Sequence, residues 1–305
     1  MLQAIDQYPS RRREDISPFP RNEPVIHGRD WQSCRSSDGP LTTHQMESYE
    51  EKGFLWMERF FSQEWIEPFF KELKEIARSE KLRKRREVIM DTQGDEVKSV
   101  FAMHTLSKRF AEIFSHPDLL SVVQQLIGSD VYIHQSRINY KSGFQGSGFE
   151  WHSDFETWHT EDGMPRMRAV SASIMLTDNN PFNGPLMLIP GSHKLFVPCQ
   201  GATPDNNWQQ SLKTQKVGSP SEEIIGQLAE ENGIEAPTGP AGSLLLFECN
   251  TLHASNRNMS PWPRANLFCV YNSVENRLER PFSGKDPRPD FLGARENTRA
   301  LRAIR

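Results

Sequence analysis

Residues 131–140 read VYIHQSRINY, the first of the short strand-like runs that decide the fold of this 305-residue chain. Clusters of Gly, Pro and Asn separate this run from those that follow. The later runs cover residues 150–156, 168–177, 185–189, 243–248 and 265–273. Many short strands bounded by turn residues are typical of an antiparallel sandwich or barrel. The sequence therefore predicts a mainly β core with flanking helices.

The segment before residue 130 shows helical periodicity instead. Thr43 can cap a helix that ends at Gly53, and Ser62 can cap a second helix. Pro68 interrupts the second helix, so we expect its regular part to begin there. The other predicted helices cover residues 106–114, a segment that starts after Ser115 and ends at Gly128, and a surface segment over 220–232.

The domain organisation is predicted to be simple. No Pro/Gly-rich linker separates the helical and β segments, which favours a single domain over residues 41–305. Residues 1–40 are polar and rich in Pro, Arg and Ser, and we expect an extended N-terminal arm. The three arginines at 11–13 are followed by two acids, which predicts a solvated mixed-charge segment. Residues 198–220 are predicted to form a long polar loop, and such loops often act as lids.

Composition excludes several classes of function. The chain has 36 basic and 40 acidic side chains, so it offers no electrostatic footprint for nucleic acid. No apolar run reaches the roughly 20 residues that span a bilayer, and the N-terminus lacks the apolar core of a secretory signal. We therefore expect a cytoplasmic protein. Its cysteines (Cys34, Cys199, Cys249 and Cys269) form no CxxC pair and are predicted to be reduced thiols.

The clearest chemical signal is the segment 150–154, which reads EWHSD. His152 and Asp154 are two residues apart, and on a strand such residues point to the same face. The imidazole and the carboxylate would then converge on one point. His253 follows the apolar run 243–247 and is the candidate for a third ligand.

Two neutral histidines and one carboxylate on one face form the facial triad of non-haem Fe(II) oxygenases, which leaves positions open for a bidentate co-substrate and O2. Arg264 leads a strand-like run, where its guanidinium can pair with a carboxylate through two hydrogen bonds. 2-Oxoglutarate needs such a partner at the end that does not chelate iron. A zinc hydrolase could use the same ligand types, but it would need neither the arginine nor a long pocket.

The order HxD…His…Arg, the segment 184–193 (GPLMLIPGSH) and the layout of helices followed by strands resemble the phytanoyl-CoA dioxygenase superfamily. The stretch 149–159 (FEWHSDFETWH), followed by 161–165 (EDGMP), is similar to the signature of the ectoine hydroxylases within it. The similarity runs from about residue 40 to near the C-terminus, and it leaves the role of residues 1–30 open.

The resemblance implies a double-stranded β-helix (a cupin-like jelly roll) that holds Fe(II), takes 2-oxoglutarate and O2, and forms a homodimer. It implies that ectoine becomes 5-hydroxyectoine, a compatible solute of osmotic stress, with release of succinate and CO2. It places the metal ligands, which are also the catalytic residues, at His152, Asp154 and His253. It places the 2-oxoglutarate contacts at Phe101, Arg137, Asn139, Ser171, Ser255 and Arg264. It places the ectoine contacts at Gln135, Phe149, Trp158, Phe247, Asn266 and Phe268.

The residues themselves support part of this set. Gln135, Arg137 and Asn139 alternate, so they share one strand face, and inward polar side chains are costly unless a polar ligand satisfies them. Ectoine is a small zwitterion, and an aromatic ring such as that of Trp158 could hold its cyclic amidinium. Two other functions stay open at this point. They are hydroxylation of another small polar metabolite by the same chemistry, and metal binding by a jelly roll without catalysis.

Overall fold

Two antiparallel sheets form the β core of the protein. The computed structural model describes residues 6–12, 16–27, 39–91 and 96–304, so Cys34 and residues 13–15 lie outside it. The strands are β1 (Phe19–Pro20), β2 (Phe54–Met57), β3 (Val88–Met90), β4 (Val97–Phe101), β5 (Val131–Lys141), β6 (Phe149–His152), β7 (Ala169–Met175), β8 (Leu186–Leu188), β9 (Leu195–Phe196), β10 (Leu244–Glu248), β11 (His253–Ser255) and β12 (Arg264–Ser273). The larger sheet has the order β2-β10-β7-β12-β5-β4-β3, and the smaller has the order β6-β11-β8. This arrangement confirms the predicted mainly β fold and is a jelly roll.

Helices pack on the larger sheet and around other parts of the β core. They are α1 (Thr43–Lys52), α2 (Gln63–Arg78), α3 (Glu80–Arg83), α4 (Met103–Leu106), α5 (Lys108–Phe114), α6 (Pro117–Ile127), α7 (Asp154–Thr157), α8 (Trp208–Ser211) and α9 (Glu222–Asn232). A π-helix over Trp158–Asp162 continues α7. No helix in these described ranges is both long and apolar enough to cross a bilayer.

The two faces of the larger sheet have different partners. Leu244 and Leu246 of β10 belong to the main core, which α2, α5 and α6 complete with their apolar faces. Leu245 and Phe247 point the other way and pack with Leu188 of the smaller sheet. Side chains alternate between the faces of a strand, so this apolar run supplies both layers. The space between the two sheets is where the polar residues of the site are found.

Two helical predictions need correction. Pro68 does not begin α2, because the helix starts at Gln63 and runs through the proline. The apolar stripe lies on both sides of Pro68, with Ile66 and Phe69 buried, and this packing outweighs one lost backbone hydrogen bond. The segment 106–114 is not one helix, since Ser107 has an extended backbone and caps α5.

The expected strand over 150–156 is also wrong in its second half. β6 ends at His152, and Ser153 then caps α7 by accepting a hydrogen bond from the backbone N–H of Glu156 at 3.4 Å. Ser153 and Glu156 have the S-x-x-E spacing that marks a helix N-terminus, a signal that the strand prediction left unused.

The described part of the N-terminal segment packs against the β core. β1 pairs with β9. Tyr8 is fully buried, with its ring centroid 5.2 Å from that of Phe155. Arg11 is buried as well, so the predicted solvated segment is wrong for this residue. The polar composition of this segment did not indicate that its residues pack against the β core.

Gly163 ends the π-helix with a φ of +75°, and a Cβ there would meet the carbonyl oxygen of Glu279 at 2.3 Å. We expect Gly163→Ala to lower the free energy of unfolding by about 2 kcal/mol or more, because the left-handed backbone and the contact both penalise a side chain. Urea unfolding measures this. Gly226→Ala is the matched control: it lies in α9 with open space around it and should raise stability by about 0.5–1 kcal/mol. Equal effects of the two changes would contradict this account.

Candidate metal centre

Three side chains converge at one end of the smaller sheet. β11 pairs with β6 so that His253 lies directly opposite His152. Nε2 of His152 is 3.8 Å from Oδ1 of Asp154, and Nε2 of His253 is 3.9 Å from Oδ2. One ligand atom from each of the three residues lies within 4.8 Å of the others. The predicted convergence of His152 and Asp154 is therefore present, although Asp154 is the first residue of a helix and not a strand residue.

The hydrogen bonds of both imidazoles leave Nε2 available as a ligand. Nδ1 of His152 lies 2.7 Å from the carbonyl oxygen of Glu150, and Nδ1 of His253 lies 2.9 Å from that of Thr251. A Nδ1–H that donates to a carbonyl leaves the lone pair on Nε2. Burial and the neighbouring His152 lower the pKa of His253 to about 4, so this imidazole is neutral at pH 7.

The carboxylate of Asp154 is held in its charged form. Burial raises its pKa, but nearby positive charge, chiefly that of Arg137, outweighs burial and lowers the pKa below its usual value. Arg137 Nη2 lies 3.9 Å from Oδ2, and the Ser171 hydroxyl donates to the same oxygen at 3.4 Å. Two neutral imidazole nitrogens and one carboxylate oxygen on one side of a cavity fit a divalent iron with further positions facing the cavity.

A cavity between the two sheets opens from these ligands. The predicted site residues that line it, besides the three ligands, are Phe101, Gln135, Arg137, Asn139, Phe149, Trp158, Ser255, Arg264 and Phe268. Three predicted residues do not line it. Ser171 lies behind Asp154, Phe247 packs its ring 4.9 Å from that of His253, and the side-chain amide of Asn266 lies 3.3 Å from Ser173 Oγ.

The polar face of β5 points into the cavity and is partly satisfied by protein groups. Gln135 accepts a hydrogen bond from Arg137 and donates to the carbonyl of Leu292 at 2.7 Å. The guanidinium of Arg137 lies over the ring of Phe268, 4.7 Å from its centroid. Asn139 accepts from the hydroxyl of Ser99 at 2.8 Å. These contacts fix the orientation of the side chains before any ligand arrives.

Two buried basic side chains lie side by side at another part of the site, one in the cavity wall and one behind it. Arg264 on β12 lies opposite Lys141 on β5 in the sheet register. Lys141 donates to Ser255 Oγ at 2.9 Å and to the carbonyl of Asn256. Burial and the charge of Arg264 lower the pKa of Lys141 to about 6, and burial lowers the pKa of Arg264 to about 10. Nε of Arg264 has no hydrogen-bond partner among the described residues. Such a pair favours an anionic ligand.

Sequence reasoning missed part of the cavity wall. Thr157, Glu161 and Arg288 line it, as do several residues between Asn207 and Val217 in the predicted loop. Asp162 accepts from Nε of Arg288 at 2.7 Å and from Nη2 at 2.5 Å, which leaves Nη1 outside that pair. Arg288 stands in an irregular segment with no periodicity, so no sequence pattern pointed to it. For Glu161 a signal was present, because it is the first residue of the family-like segment 161–165 (EDGMP).

Comparison with known proteins agrees with this geometry. The sequence profile of the phytanoyl-CoA dioxygenase (PhyH) family matches residues 49–266. The chain is 50% identical to an ectoine dioxygenase of Halomonas elongata over 94% of this chain and 85% of that protein. It is 45% identical to an ectoine dioxygenase of Sphingopyxis alaskensis over 98% of this chain and 96% of that protein. A crystal structure of EctD from S. alaskensis with 2-oxoglutarate and 5-hydroxyectoine matches with a TM-score of 0.87 and 41% identity, covering 98% of both chains.

Asp154→Asn tests the metal centre without reference to activity. We expect the affinity for Co(II), used as a spectroscopic stand-in for Fe(II), to fall more than about 100-fold, since changing even the hydrogen-bond partners of metal ligands costs 10- to 100-fold. Anaerobic titration followed by Co(II) absorption measures it. His44→Asn, at an exposed position of α1, should leave the affinity unchanged. Wild-type affinity in Asp154→Asn would show that the carboxylate is not a ligand.

Proposed function

The chain belongs to the phytanoyl-CoA dioxygenase family, and from this we propose that it is an Fe(II)- and 2-oxoglutarate-dependent dioxygenase that hydroxylates ectoine to 5-hydroxyectoine. Succinate and CO2 are the other products. The observation that carries the proposal is the triad of His152, Asp154 and His253, which opens into a cavity lined by the buried guanidinium of Arg264, with the basic side chain of Lys141 directly behind it. A protein that only binds metal would not need these basic side chains, which favour an anionic co-substrate.

The two cations supply a site for the distal carboxylate of 2-oxoglutarate. Arg264 has an unpartnered Nε, and Lys141 already orients the hydroxyl of Ser255 by donating to it. Because the oxygen of Ser255 accepts from the ammonium group, its own proton is free to point at an anion. Ser255 and Arg264 both line the cavity, whereas Lys141 stands behind Ser255. We propose that Arg264 and Ser255 contact the carboxylate and that Lys141 adds its charge from behind.

The remaining wall suits a zwitterion. Trp158 is almost fully buried, and its π face can hold the amidinium of ectoine. Arg288 is oriented by Asp162 and lines the same cavity, so we propose that it pairs with the ectoine carboxylate, with the hydroxyl of Thr157 beside it. Phe149 and Phe268 complete an apolar wall that excludes water from the reacting ring.

The chain's own contribution to the reaction is position and charge. Bound iron, with 2-oxoglutarate as the electron donor, supplies the activation of O2. Asp154 stays ionised and would offset one of the metal's two positive charges, while an imidazole that binds a metal through Nε2 adds no charge. The fixed side chains hold one ring carbon of ectoine toward the metal ligands, and the dry aromatic wall protects the reaction from side reactions with water.

We also propose, from the resemblance to ectoine hydroxylases, that the protein is a cytoplasmic homodimer whose product serves as a compatible solute under osmotic stress. Analytical ultracentrifugation tests the oligomeric state, and a sedimenting species of monomer mass at cellular concentrations would contradict it.

An aerobic assay with Fe(II) and 2-oxoglutarate, with and without ectoine, tests the function directly. We expect succinate formation that depends on ectoine and matches 5-hydroxyectoine mole for mole, with both followed by NMR. Asp154→Asn should lose both products. Succinate without a hydroxylated product would keep the iron chemistry and exclude ectoine as the substrate. Neither product from folded, iron-loaded protein would favour metal binding without catalysis.

Lys141 gives 2-oxoglutarate binding a pH dependence. With a pKa of about 6 it is mostly neutral above neutral pH in the protein alone. An arriving carboxylate favours the charged form and raises this pKa, so binding should take up a proton and weaken as the pH rises. Calorimetry of anaerobic 2-oxoglutarate binding in buffers of different ionisation enthalpy measures the uptake.

Lys141→Met should abolish most of that proton uptake and weaken 2-oxoglutarate binding, whereas Lys71→Met, at an exposed position of α2, should change neither. Identical proton uptake in the wild type and in Lys141→Met would show that another group titrates.

A further inference from the structure

The guanidinium of Arg11 is buried behind the wall of the cavity. Its Nε and Nη2 donate to the two carboxylate oxygens of Glu156 at 2.9 and 2.8 Å. Nη1 donates to Glu161 Oε1 at 2.5 Å and to Thr203 Oγ1 at 3.2 Å. Nη2 also donates to Thr157 Oγ1 at 3.1 Å. An arginine has five N–H donors, so this network uses the full capacity of the side chain.

The acceptors lie on three separate segments. Glu156 and Thr157 belong to α7, which begins with the metal ligand Asp154. Glu161 belongs to the π-helix that carries Trp158, and Thr203 belongs to the loop over 198–218. The Arg11 side chain therefore joins α7, the π-helix and this loop at one point.

Backbone contacts fasten the same junction. The Arg11 N–H donates to the carbonyl of Cys199 at 2.7 Å, and the Ser10 hydroxyl accepts from the Cys199 N–H at 2.9 Å. Arg11 has a φ of 54°, in the left-handed region that is unfavourable for a residue with a Cβ. The surrounding contacts hold it there in spite of this strain.

Gly218 closes the junction from the other end of the loop. Its φ is +81°, and a Cβ there would lie 2.6 Å from Nη2 of Arg11 and 2.9 Å from Oε2 of Glu156. Even one methyl group at this position would collide with the ion pair. The loop can pack over the pair in this way only with glycine at 218.

Charge balance makes Arg11 necessary to this part of the wall. Glu156 and Glu161 are both buried and share the one guanidinium. Burial alone would raise the pKa of Glu156, but the charge and hydrogen bonds of Arg11 lower it below the usual value. Without Arg11, two buried carboxylates would face each other unpaired, which is strongly unfavourable.

We propose that Arg11 is a positioning residue for ectoine, acting through the wall that it holds in place. Thr157 and Glu161 accept from Arg11 on one side and line the cavity on the other. Glu161 also accepts from the side chain of Asn207 at 2.8 Å, which carries the contact into the loop residues over the cavity. The proposal rests on the proposed function, and it gives the N-terminal segment a role in substrate binding.

The network should affect ectoine and 2-oxoglutarate unequally. Arg11 contacts α7, the π-helix and the loop, which surround Trp158. The carboxylate site at Arg264, Lys141 and Ser255 is built on β12, β5 and β11, to which Arg11 makes no hydrogen bond within the described ranges. Loss of the network should therefore move the ectoine wall and leave the co-substrate end in place.

Arg11→Lys is the main test, because it keeps the charge needed for folding but cannot bridge four side chains. We expect the KM for ectoine to rise about tenfold or more, with the KM for 2-oxoglutarate changed less than about twofold. Amide hydrogen exchange of the protein alone should become faster in residues 154–162 and 199–218 and stay unchanged in β5 and β12. Succinate formed per hydroxylated product should also rise, because ectoine is held less firmly.

Two further variants separate positioning from general stability. Arg12→Lys is the matched control, since the side chain of Arg12 is exposed and, among the described residues, forms a salt bridge only with Asp6. This variant should behave as the wild type. Gly218→Ala keeps every charge but pushes on the ion pair, and it should reproduce the ectoine defect. For Arg11→Gly, free guanidinium at millimolar concentration should lower the KM for ectoine again.

Faster exchange in Arg11→Lys with an unchanged KM for ectoine would overturn the proposal and leave Arg11 a purely structural residue. Equal rises in both KM values, or lost stability without either change, would overturn it as well. The assay of the wild type distinguishes failure of the Arg11 proposal from failure of the proposed function. If the wild type does not hydroxylate ectoine, the function itself fails, and the positioning of ectoine by Arg11 fails with it.

Discussion

The antiparallel register between β6 and β11 is the constraint on which the site depends, because it sets His152 directly opposite His253. Ser153 then ends the strand and starts α7, and this turn brings Asp154 between the two imidazoles. The backbone N–H of Phe155 donates to the carbonyl of Cys249 at 2.8 Å, which ties the start of α7 to the segment that precedes His253. A register shift of one residue would turn one histidine to the opposite face, and the metal centre would be lost.

Around this centre the protein buries an unusual number of charges, and most of them are paired. Asp154 faces Arg137, Asp162 holds Arg288, and the two glutamates of the signature share Arg11. The exception is the pair of Arg264 and Lys141, two basic side chains that adjoin with no carboxylate in a salt bridge to either among the described residues. Buried charges without partners are costly, so these two side chains favour the binding of a negatively charged ligand.

The sequence predicted which residues form the metal centre better than it predicted the secondary structure on which they lie. The spacing of His152, Asp154 and His253 was sufficient to identify the triad, because ligand type and order survive a wrong assignment of secondary structure. The strand through Asp154 was wrong, since Ser153 ends the strand and caps a helix. Strands β2, β3 and β4, at the two ends of the larger sheet, were missed because they are short, and β2 and β4 are stabilised by neighbours distant in sequence.

The larger failure concerned long-range partners. A run of arginines and acids in a polar segment is normally solvated, and nothing local to Arg11 shows that its acceptors lie about 145 residues away. Arg288 was invisible for the same reason, as its partner Asp162 is 126 residues distant. Which charged residues pair in the interior depends on the folded chain. Periodicity and local composition therefore do not predict such pairs.

These placements divide the site into two parts with different mechanical support. Arg264 and Ser255, which we propose contact the co-substrate carboxylate, stand on paired strands, whose hydrogen bonds make their positions rigid. Trp158 and Arg288, which we propose contact ectoine, stand on a π-helix and in an irregular segment outside the sheets. Ion pairs hold these segments instead, since Asp162 orients Arg288 and Arg11 binds the base of the π-helix. A jelly roll can thus keep one co-substrate site and change its substrate by altering helical and loop segments and the charges that fasten them.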